Sequence, residues 1–256
     1  MAGKATSLAS LDYTGLKPET TALFLDFDGT LADIAERPDA VSVPPGTLEI
    51  LTRLKRSTQG ALAIVTGRAI TDIDRFLAPL QLPVAGVHGL ERRSADGLRM
   101  VAAVDEAEFS AIRERLQSFA DAHSGLLLEL KQGSMALHYR QRPDLGEACT
   151  VAVHEALNGR NGFHVLHGKM VVEVKGGKAS KADALSAFME EEPFRGRVPL
   201  FAGDDVTDED AFREITRLNG ISIKIGRGAT AAIFRTEGTA SFRDWLGRLA
   251  DSFDSR

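Results

Sequence analysis

The chain has 256 residues, of which 43% are hydrophobic and 26% charged, as is typical of a soluble protein with one long domain or two modest ones. Its net charge of -5 argues against a basic nucleic-acid-binding surface, and its single cysteine excludes an internal disulfide framework. No apolar run reaches the roughly 18 residues of a membrane span, so we expect a cytoplasmic protein that contacts neither nucleic acid nor membrane.

The first 20 residues are rich in Ser, Thr, Gly and Ala, and they predict a flexible N-terminal tail without a secretory signal. Beyond them, short apolar runs alternate with helical patterns at both ends of the chain. Strands are predicted at residues 22–26, 61–65, 83–87, 198–202 and 221–225. Helices are predicted at 46–56, from just after 66–68 to about 77, and at 241–250. This alternation favours an α/β core built on a parallel sheet.

The middle of the chain has a different pattern. It predicts helices at 105–123 and 145–157 and strands at 126–131, 135–140, 163–165 and 170–175. We interpret this segment as a small αβ insertion with mostly antiparallel strands. The predicted domains are therefore a core formed by residues 21–96 and 176–256, and an insertion at 97–175.

Polar residues stand where the predicted core strands end. Asp26 and Asp28 follow the first strand, at the edge where open α/β sheets bind ligands. Alone, this pair suits a solvated turn equally well. Further candidates occur where strands stop or helices begin, and all could meet in one crevice: Thr66, Lys181, Asp204, Asp205 and Asp208. Read singly, these also suit a capping threonine, a solvated lysine and helix N-terminal acids.

Taken together, these segments resemble the four motifs of haloacid-dehalogenase-type (HAD) phosphatases. The run Asp26–Thr30 resembles the first motif, Val65–Arg68 the second, Lys181 the third and Gly203–Glu209 the fourth. Their order and spacing also fit. The resemblance implies a Rossmann-like parallel-sheet core of HAD type with an inserted αβ cap domain, and the hydrolysis of phosphate monoesters.

The resemblance also implies roles for these residues. Asp26 would attack phosphorus and form an aspartyl-phosphate, and Asp28 would act as general acid and then as general base. Thr66 would donate a hydrogen bond to the transferring phosphoryl group. Lys181 would offset the charge on that group and on Asp26.

A cation is needed because a phosphate dianion would otherwise be repelled by the aspartates, and oxygen ligands suit Mg²⁺. The resemblance gives Asp26, the backbone carbonyl of Asp28, and Asp204 as its ligands. Asp205 and Asp208 belong to the same metal site, either as ligands or directly behind them, and the sequence does not separate the two.

Charged side chains alternate with apolar ones along three strands of the insertion. Glu129 shares a strand face with Lys131, His138 with Arg140, and Glu173 with Lys175. Such a face is common in solvent-exposed antiparallel sheets. The same segments also resemble the cap of trehalose-6-phosphate phosphatases, a mobile domain that closes over the core and binds the sugar.

On this second resemblance, Glu129, Lys131 and Glu173 would bind sugar hydroxyls. Arg140 and Lys175 would bind near the phosphate. Two core loops would face the same cleft, at Arg68 and at His88, and Arg68 would bind substrate. Lys178 is a further candidate that suits an exposed lysine equally well.

The implied activity is Mg²⁺-dependent hydrolysis of trehalose 6-phosphate in trehalose biosynthesis. Two alternatives stay open. Another HAD sugar phosphatase, acting on sucrose phosphate or mannosyl-3-phosphoglycerate, would use the same core motifs. A non-catalytic binding protein on this fold would be expected to lack Asp26, Asp28 or Lys181, and all three are present. We expect a monomer whose partner is a small sugar phosphate.

Overall fold

The computed structural model describes residues 5–35, 40–131, 133–177 and 179–255. The chain divides into two compact units. The core unit combines Met1–Met100 with Ser180–Arg256, and the cap unit is Val101–Ala179. Among the described residues, no helix has the length and apolar character needed to cross a bilayer.

The predicted strands and helices are present with shifted ends, and the structure contains further strands and helices that the sequence did not predict. The strands in the described residues are β1 Thr6–Ser7, β2 Thr21–Leu25, β3 Leu62–Val65, β4 Val84–Gly86, β5 Glu91–Arg93, β6 Arg99–Val101, β7 Leu127–Lys131, β8 Ser134–His138, β9 Phe163–Gly168, β10 Val171–Gly176, β11 Val198–Gly203, β12 Ile221–Ile225 and β13 Phe234–Thr236. The α-helices are α1 Thr47–Ser57, α2 Ile70–Leu77, α3 Glu106–Asp121, α4 Gly146–Leu157, α5 Lys181–Met189, α6 Glu209–Arg217 and α7 Thr239–Asp254.

The large sheet has the strand order β1-β13-β12-β11-β2-β3-β4-β5-β6. Neighbours from β1 to β4 pair in parallel, whereas β4 and β5 are antiparallel. The predicted α/β fold with a mostly parallel core sheet is therefore confirmed. Because parallel strands end at one edge, the loops after β2, β3 and β11 are brought together there.

Strand β2 is buried along its whole length because helices cover both faces of the sheet. Leu23 and Leu25 point into one hydrophobic cluster, which includes residues of α1, α2 and α7. Ala22 and Phe24 point into another, with residues of α5 and α6. The Phe24 ring lies 5.2 Å from that of Phe194. This two-sided burial explains why β2 is a continuous apolar run.

The N-terminal residues differ from the predicted flexible tail. Strand β1 pairs with β13, with Thr6 opposite Phe234. Leu8 and Leu16 are buried in the core cluster. From residue 6 onward the prediction of a flexible tail is therefore wrong: an edge strand and two apolar anchors lie within a composition dominated by small polar residues.

The cap unit contains an antiparallel sheet with the order β7-β8-β10-β9. Residues such as Leu137 and Val172 share one face with residues of α3 and α4 in a single hydrophobic cluster. Cys149 of α4 is buried in that cluster. On the opposite face, Glu129 and Glu173 flank Ala136 in one register row. The alternation predicted from the sequence therefore separates an apolar face from a polar one.

Candidate active site

The core unit places its predicted catalytic residues at the carboxyl edge of the sheet. Asp26 directly follows β2, Thr66 follows β3 and Asp204 follows β11. Lys181 is the first residue of α5, because Ser180 caps that helix in a reciprocal capping box with Asp183. The ends of three strands and the start of one helix therefore determine the positions of these residues.

Three carboxylates and one ammonium group meet at this edge. Asp26, Asp204 and Asp208 each offer an oxygen within 4.8 Å of the others. Lys181 Nζ lies 2.8 Å from Oδ1 of Asp26 and 2.6 Å from Oδ1 of Asp208. All but Asp204 are buried, so these charges interact in a medium of low dielectric constant.

Burial and charge shift the pKa values in this cluster. Burial raises the pKa of Asp26 well above its ordinary value, Lys181 opposes that rise, and the carboxylates of Asp208 and Asp204 add to it. Burial alone would lower the pKa of Lys181, but Asp208 and Asp26 outweigh it and raise that pKa. Lys181 is therefore a permanent cation, and the crowded carboxylates favour a further positive charge.

Two glycines make the close approach of the acids possible. A Cβ on Gly29, which has a φ of +72°, would lie 2.2 Å from Oδ2 of Asp204. A Cβ on Gly203 would lie 2.4 Å from Cγ of Asp208. Since neither space would hold a larger residue without displacing a carboxylate, Gly29 and Gly203 help to define the cluster.

The donor set fits a hard divalent cation such as Mg²⁺, which prefers carboxylate oxygens. Of the predicted metal residues, Asp26, Asp204 and Asp208 bring their carboxylates together. Asp205 has a different place: its backbone N–H donates to Oδ2 of Asp208 over 2.9 Å, and its backbone carbonyl accepts the N–H of Asp208 over 3.2 Å. The structure thus separates two acids that the sequence could not.

Two threonines of the predicted motifs lie in the core unit, and one of them contacts Asp26. Thr66 is buried, and its hydroxyl accepts the backbone N–H of Arg68 over 3.2 Å, which leaves its O–H as a donor. Thr30 donates to Oδ2 of Asp26 over 3.2 Å. Thr30 belongs to the first motif, but the sequence predicted no role for it.

Arg68 contacts the carboxylate of Asp28. Nε lies 2.6 Å from Oδ2 and Nη2 lies 2.8 Å from Oδ1, so the pair is bidentate. The guanidinium also lies over the rings of Phe27 and Phe76, at 5.8 and 4.9 Å from their centroids. A planar guanidinium suits both contacts, which a lysine would not reproduce. The role of Arg68 in substrate binding stays a prediction.

The polar face of the cap unit carries two carboxylates with defined partners. Nε2 of His138 lies 2.8 Å from Oε2 of Glu129, and Nζ of Lys131 lies 4.0 Å from the same atom. Ser134 donates a hydrogen bond to Glu173, and both residues are buried. Burial favours a higher pKa for Glu129, but His138 and Lys131 outweigh it and hold that pKa below its ordinary value. Glu129 therefore presents a negative charge at neutral pH.

Two other predicted cap residues, Arg140 and Lys175, donate to backbone carbonyls of the cap unit. Arg140 follows the end of β8, is exposed, and donates to the carbonyl of Lys169 over 3.3 Å. It is therefore outside the register row that holds Glu129 and Glu173. Lys175 is buried and donates to the carbonyl of Ala179. Lys178 lies outside the described residues.

The sequence did not predict a role for two further polar residues, Ser134 and Lys224. Ser134 gave no signal because it stands next to a turn, where serine is common. Lys224 stands in the strand Ile-Ser-Ile-Lys-Ile and was passed over as one charge in an apolar run, yet it is buried and contacts the loop after β11. A lysine inside a buried strand was the available signal, because buried lysines need a partner.

A parallel α/β core with clustered carboxylates and a lysine at its carboxyl edge, interrupted by an antiparallel unit, is the fold of the HAD phosphatases. A HAD phosphatase from Bacteroides thetaiotaomicron has the same fold, with a TM-score of 0.64 at 19% identity over 97% of this chain and 100% of that one. The C-terminal domain of C. albicans trehalose-6-phosphate phosphatase matches with a TM-score of 0.85 at 19% identity, over 97% of this chain and 99% of that one.

Sequence comparison identifies the family. The trehalose-phosphatase family model matches residues 24–242. A probable trehalose-phosphate phosphatase of Sinorhizobium fredii is 44% identical over 206 residues, or 80% of this chain and 77% of that protein. The trehalose-6-phosphate phosphatase of Escherichia coli is 39% identical over 235 residues, or 92% of this chain and 88% of that protein. The chain belongs to the trehalose-phosphatase family and is a phosphoric monoester hydrolase.

Proposed function

We propose that this protein hydrolyses trehalose 6-phosphate to trehalose and phosphate, with Mg²⁺, through an aspartyl-phosphate on Asp26. The observation that carries the mechanism is the buried contact of Asp26 with Lys181 beside two further carboxylates. The names of the S. fredii and E. coli relatives support the substrate. That the protein is a monomer and that it is cytoplasmic are expectations from the sequence.

The first step is attack by a carboxylate oxygen of Asp26 on phosphorus. Lys181 holds Oδ1 of Asp26 and Thr30 holds Oδ2, so the attacking group is oriented before substrate binds. The ammonium of Lys181 offsets the negative charge that gathers as the phosphoryl group arrives. Thr66 supplies a buried hydroxyl for a phosphoryl oxygen.

Proton transfer falls to Asp28. It would protonate the departing sugar oxygen, then accept a proton from the water that cleaves the aspartyl-phosphate. A sugar alkoxide is a poor leaving group, so the first of these transfers matters more for sugar phosphates than for aryl phosphates.

Asp26, Asp204 and Asp208 would hold Mg²⁺, whose positive charge would be shared with the phosphoryl oxygens. The backbone carbonyl of Asp28 is a further candidate ligand. Asp205 would act through Asp208, because its backbone N–H donates to Oδ2 of that carboxylate.

The polar face of the cap unit would bind the sugar. Glu129 and Glu173 flank Ala136 in one register row, and Lys131 ends the strand that carries Glu129. Carboxylates accept hydrogen bonds from hydroxyls and penalise a ligand that leaves them unpaired. Lys175 would add positive charge toward the phosphate, and Arg140 is a weaker candidate because it lies beyond β8.

A panel of sugar phosphates tests the substrate. The purified chain is assayed for phosphate release with Mg²⁺ on trehalose 6-phosphate, sucrose 6-phosphate, glucose 6-phosphate and mannosyl-3-phosphoglycerate. We expect the highest kcat/KM for trehalose 6-phosphate, loss of activity with a chelator and recovery on adding Mg²⁺. Faster turnover of another sugar phosphate would reject the substrate and leave the mechanism standing. Full activity in excess chelator would reject the metal.

A further inference from the structure

Lys224 is a buried lysine close to the metal-binding loop. It lies on β12, opposite Gly203 at the end of β11, and only 4% of its surface is exposed. Removing an ammonium group from water is costly unless strong hydrogen bonds replace the lost hydration. Its position therefore requires a specific set of acceptors.

Those acceptors are two consecutive backbone carbonyls. Nζ of Lys224 donates to the carbonyl oxygen of Asp204 and, over 3.4 Å, to that of Asp205. Both carbonyls belong to the loop that leads from β11 into the turn carrying Asp208. One side chain thus restrains two successive peptide groups at the point where the acidic residues leave the sheet.

Lys224 restrains the backbone of Asp204, whose carboxylate belongs to the cluster with Asp26 and Asp208. The Asp204 carboxylate packs against Gly29, where a Cβ would lie 2.2 Å from its Oδ2. Lys224 fixes the backbone of Asp204 from one side, and Gly29 shapes the space for its side chain from the other. Asp204 is also the one member of the cluster that is not fully buried.

We propose that Lys224 is a positioning residue for the divalent metal site, holding the Asp204–Asp205 backbone so that the Asp204 carboxylate stays beside Asp26 and Asp208. This inference rests on the proposed function, because it presumes that these acids bind Mg²⁺. Residues behind metal ligands commonly change metal affinity by about 10- to 100-fold when they are replaced.

The positive charge of Lys224 weakens Mg²⁺ binding, whereas its positioning of Asp204 strengthens it. The direction in which the Kd changes in a variant therefore tells which effect is larger. An ammonium close to a divalent cation repels it, so its removal through charge alone would strengthen metal binding. Its removal through lost positioning would weaken binding. A higher Kd for Mg²⁺ after the replacement therefore indicates lost positioning, and a lower Kd indicates lost charge repulsion.

The experiment measures Mg²⁺ binding by isothermal titration calorimetry on the full chain, stripped with chelator and free of substrate. Lys224→Met removes charge and donors at similar length, and Lys224→Gln removes charge but keeps an amide donor. Lys55→Met is the matched control, since Nζ of Lys55 also donates to a backbone carbonyl of the core unit, that of Gln81 at 2.9 Å. Circular dichroism checks that each variant is folded.

We expect the Kd for Mg²⁺ to rise about 10- to 100-fold in Lys224→Met, to rise less in Lys224→Gln, and to stay at the wild-type value in Lys55→Met. Equal or tighter binding by Lys224→Met would overturn the positioning role. If that variant fails to fold, Lys224→Gln decides in the same way. A wild-type chain that binds no Mg²⁺ would instead remove the metal from the proposed function, and this inference with it.

Discussion

Arg68 donates two hydrogen bonds to the carboxylate of Asp28, from Nε to Oδ2 over 2.6 Å and from Nη2 to Oδ1 over 2.8 Å. The contact joins the second motif to the first within the core unit. Because both oxygens of Asp28 are engaged, Arg68 determines the orientation of the predicted general acid and base. Arg68 itself is held by the flanking rings of Phe27 and Phe76.

Asp28→Asn should therefore slow trehalose 6-phosphate hydrolysis by about 10²- to 10⁴-fold and p-nitrophenyl phosphate hydrolysis much less, because p-nitrophenolate leaves without a proton. Arg68→Met should show the same dependence on the leaving group, in a weaker form. Arg75→Met is the control, since Arg75 stacks on the same Phe76 ring while remaining exposed. Equal losses on both substrates in Asp28→Asn would show that Asp28 is not the general acid.

Glu129→Gln and Glu173→Gln should each lower kcat/KM for trehalose 6-phosphate by about 10- to 100-fold, the range for a hydrogen bond to a charged group. Hydrolysis of p-nitrophenyl phosphate should change little, because it presents no sugar hydroxyls. Glu114→Gln, an exposed change on α3 of the same unit, should affect neither substrate. If kcat/KM fell equally for both substrates, the two acids would support the fold of the cap unit and would not bind the sugar.

The lowered pKa of Glu129 predicts a pH-dependent stability. Burial opposes ionisation of Glu129, but His138 and Lys131 lower its pKa below the ordinary 4.5. A carboxyl group with a lower pKa in the folded state stabilises that state fully above its unfolded pKa, and the benefit is lost as the pH falls through the folded value.

Urea unfolding of wild type and Glu129→Gln, followed by far-UV circular dichroism between about pH 7 and pH 3, measures this effect. The wild type should be the more stable protein near neutral pH. The difference in unfolding free energy should shrink below the ordinary pKa of 4.5. A difference that is independent of pH would mean that Glu129 contributes through packing and not through its charge.

Gly29→Ala should damage the metal site beyond the usual cost of a side chain at positive φ, which is about 1 kcal/mol. Its Cβ would lie 2.2 Å from Oδ2 of Asp204, so the carboxylate must move. Gly46→Ala is a matched control, with a φ of +86° and no atom within 4 Å of its Cβ. Both variants should lose the stability that a side chain costs at positive φ, but only Gly29→Ala should be destabilised further and bind Mg²⁺ more weakly. Wild-type metal affinity in Gly29→Ala would count against this account of Asp204.

The sequence predicted what depends on local pattern. Apolar runs located β2 and β3. Partners distant along the chain could not be predicted this way. The bidentate contact of Arg68 with Asp28 joins residues 40 positions apart, and β1 became visible only through its pairing with β13.

The same limit applies to the acids after β11. Asp205 and Asp208 have identical side chains within one motif, and only the backbone geometry of the turn directs Asp208 toward Lys181. A lysine in an apolar strand indicates a buried cation that needs a partner, but the sequence does not show that the partners of Lys224 are the backbone carbonyls of Asp204 and Asp205.

The central claim is that Asp26 attacks phosphorus, and Asp26→Asn tests it most directly. The amide keeps the shape of the side chain and its neighbours Lys181 and Thr30, but removes the attacking charge. Phosphate release is measured from trehalose 6-phosphate and from p-nitrophenyl phosphate, with circular dichroism as the check on folding. We predict a loss of several orders of magnitude on both substrates, since both need the nucleophile. Retention of more than about a tenth of wild-type turnover by the folded variant would contradict the account.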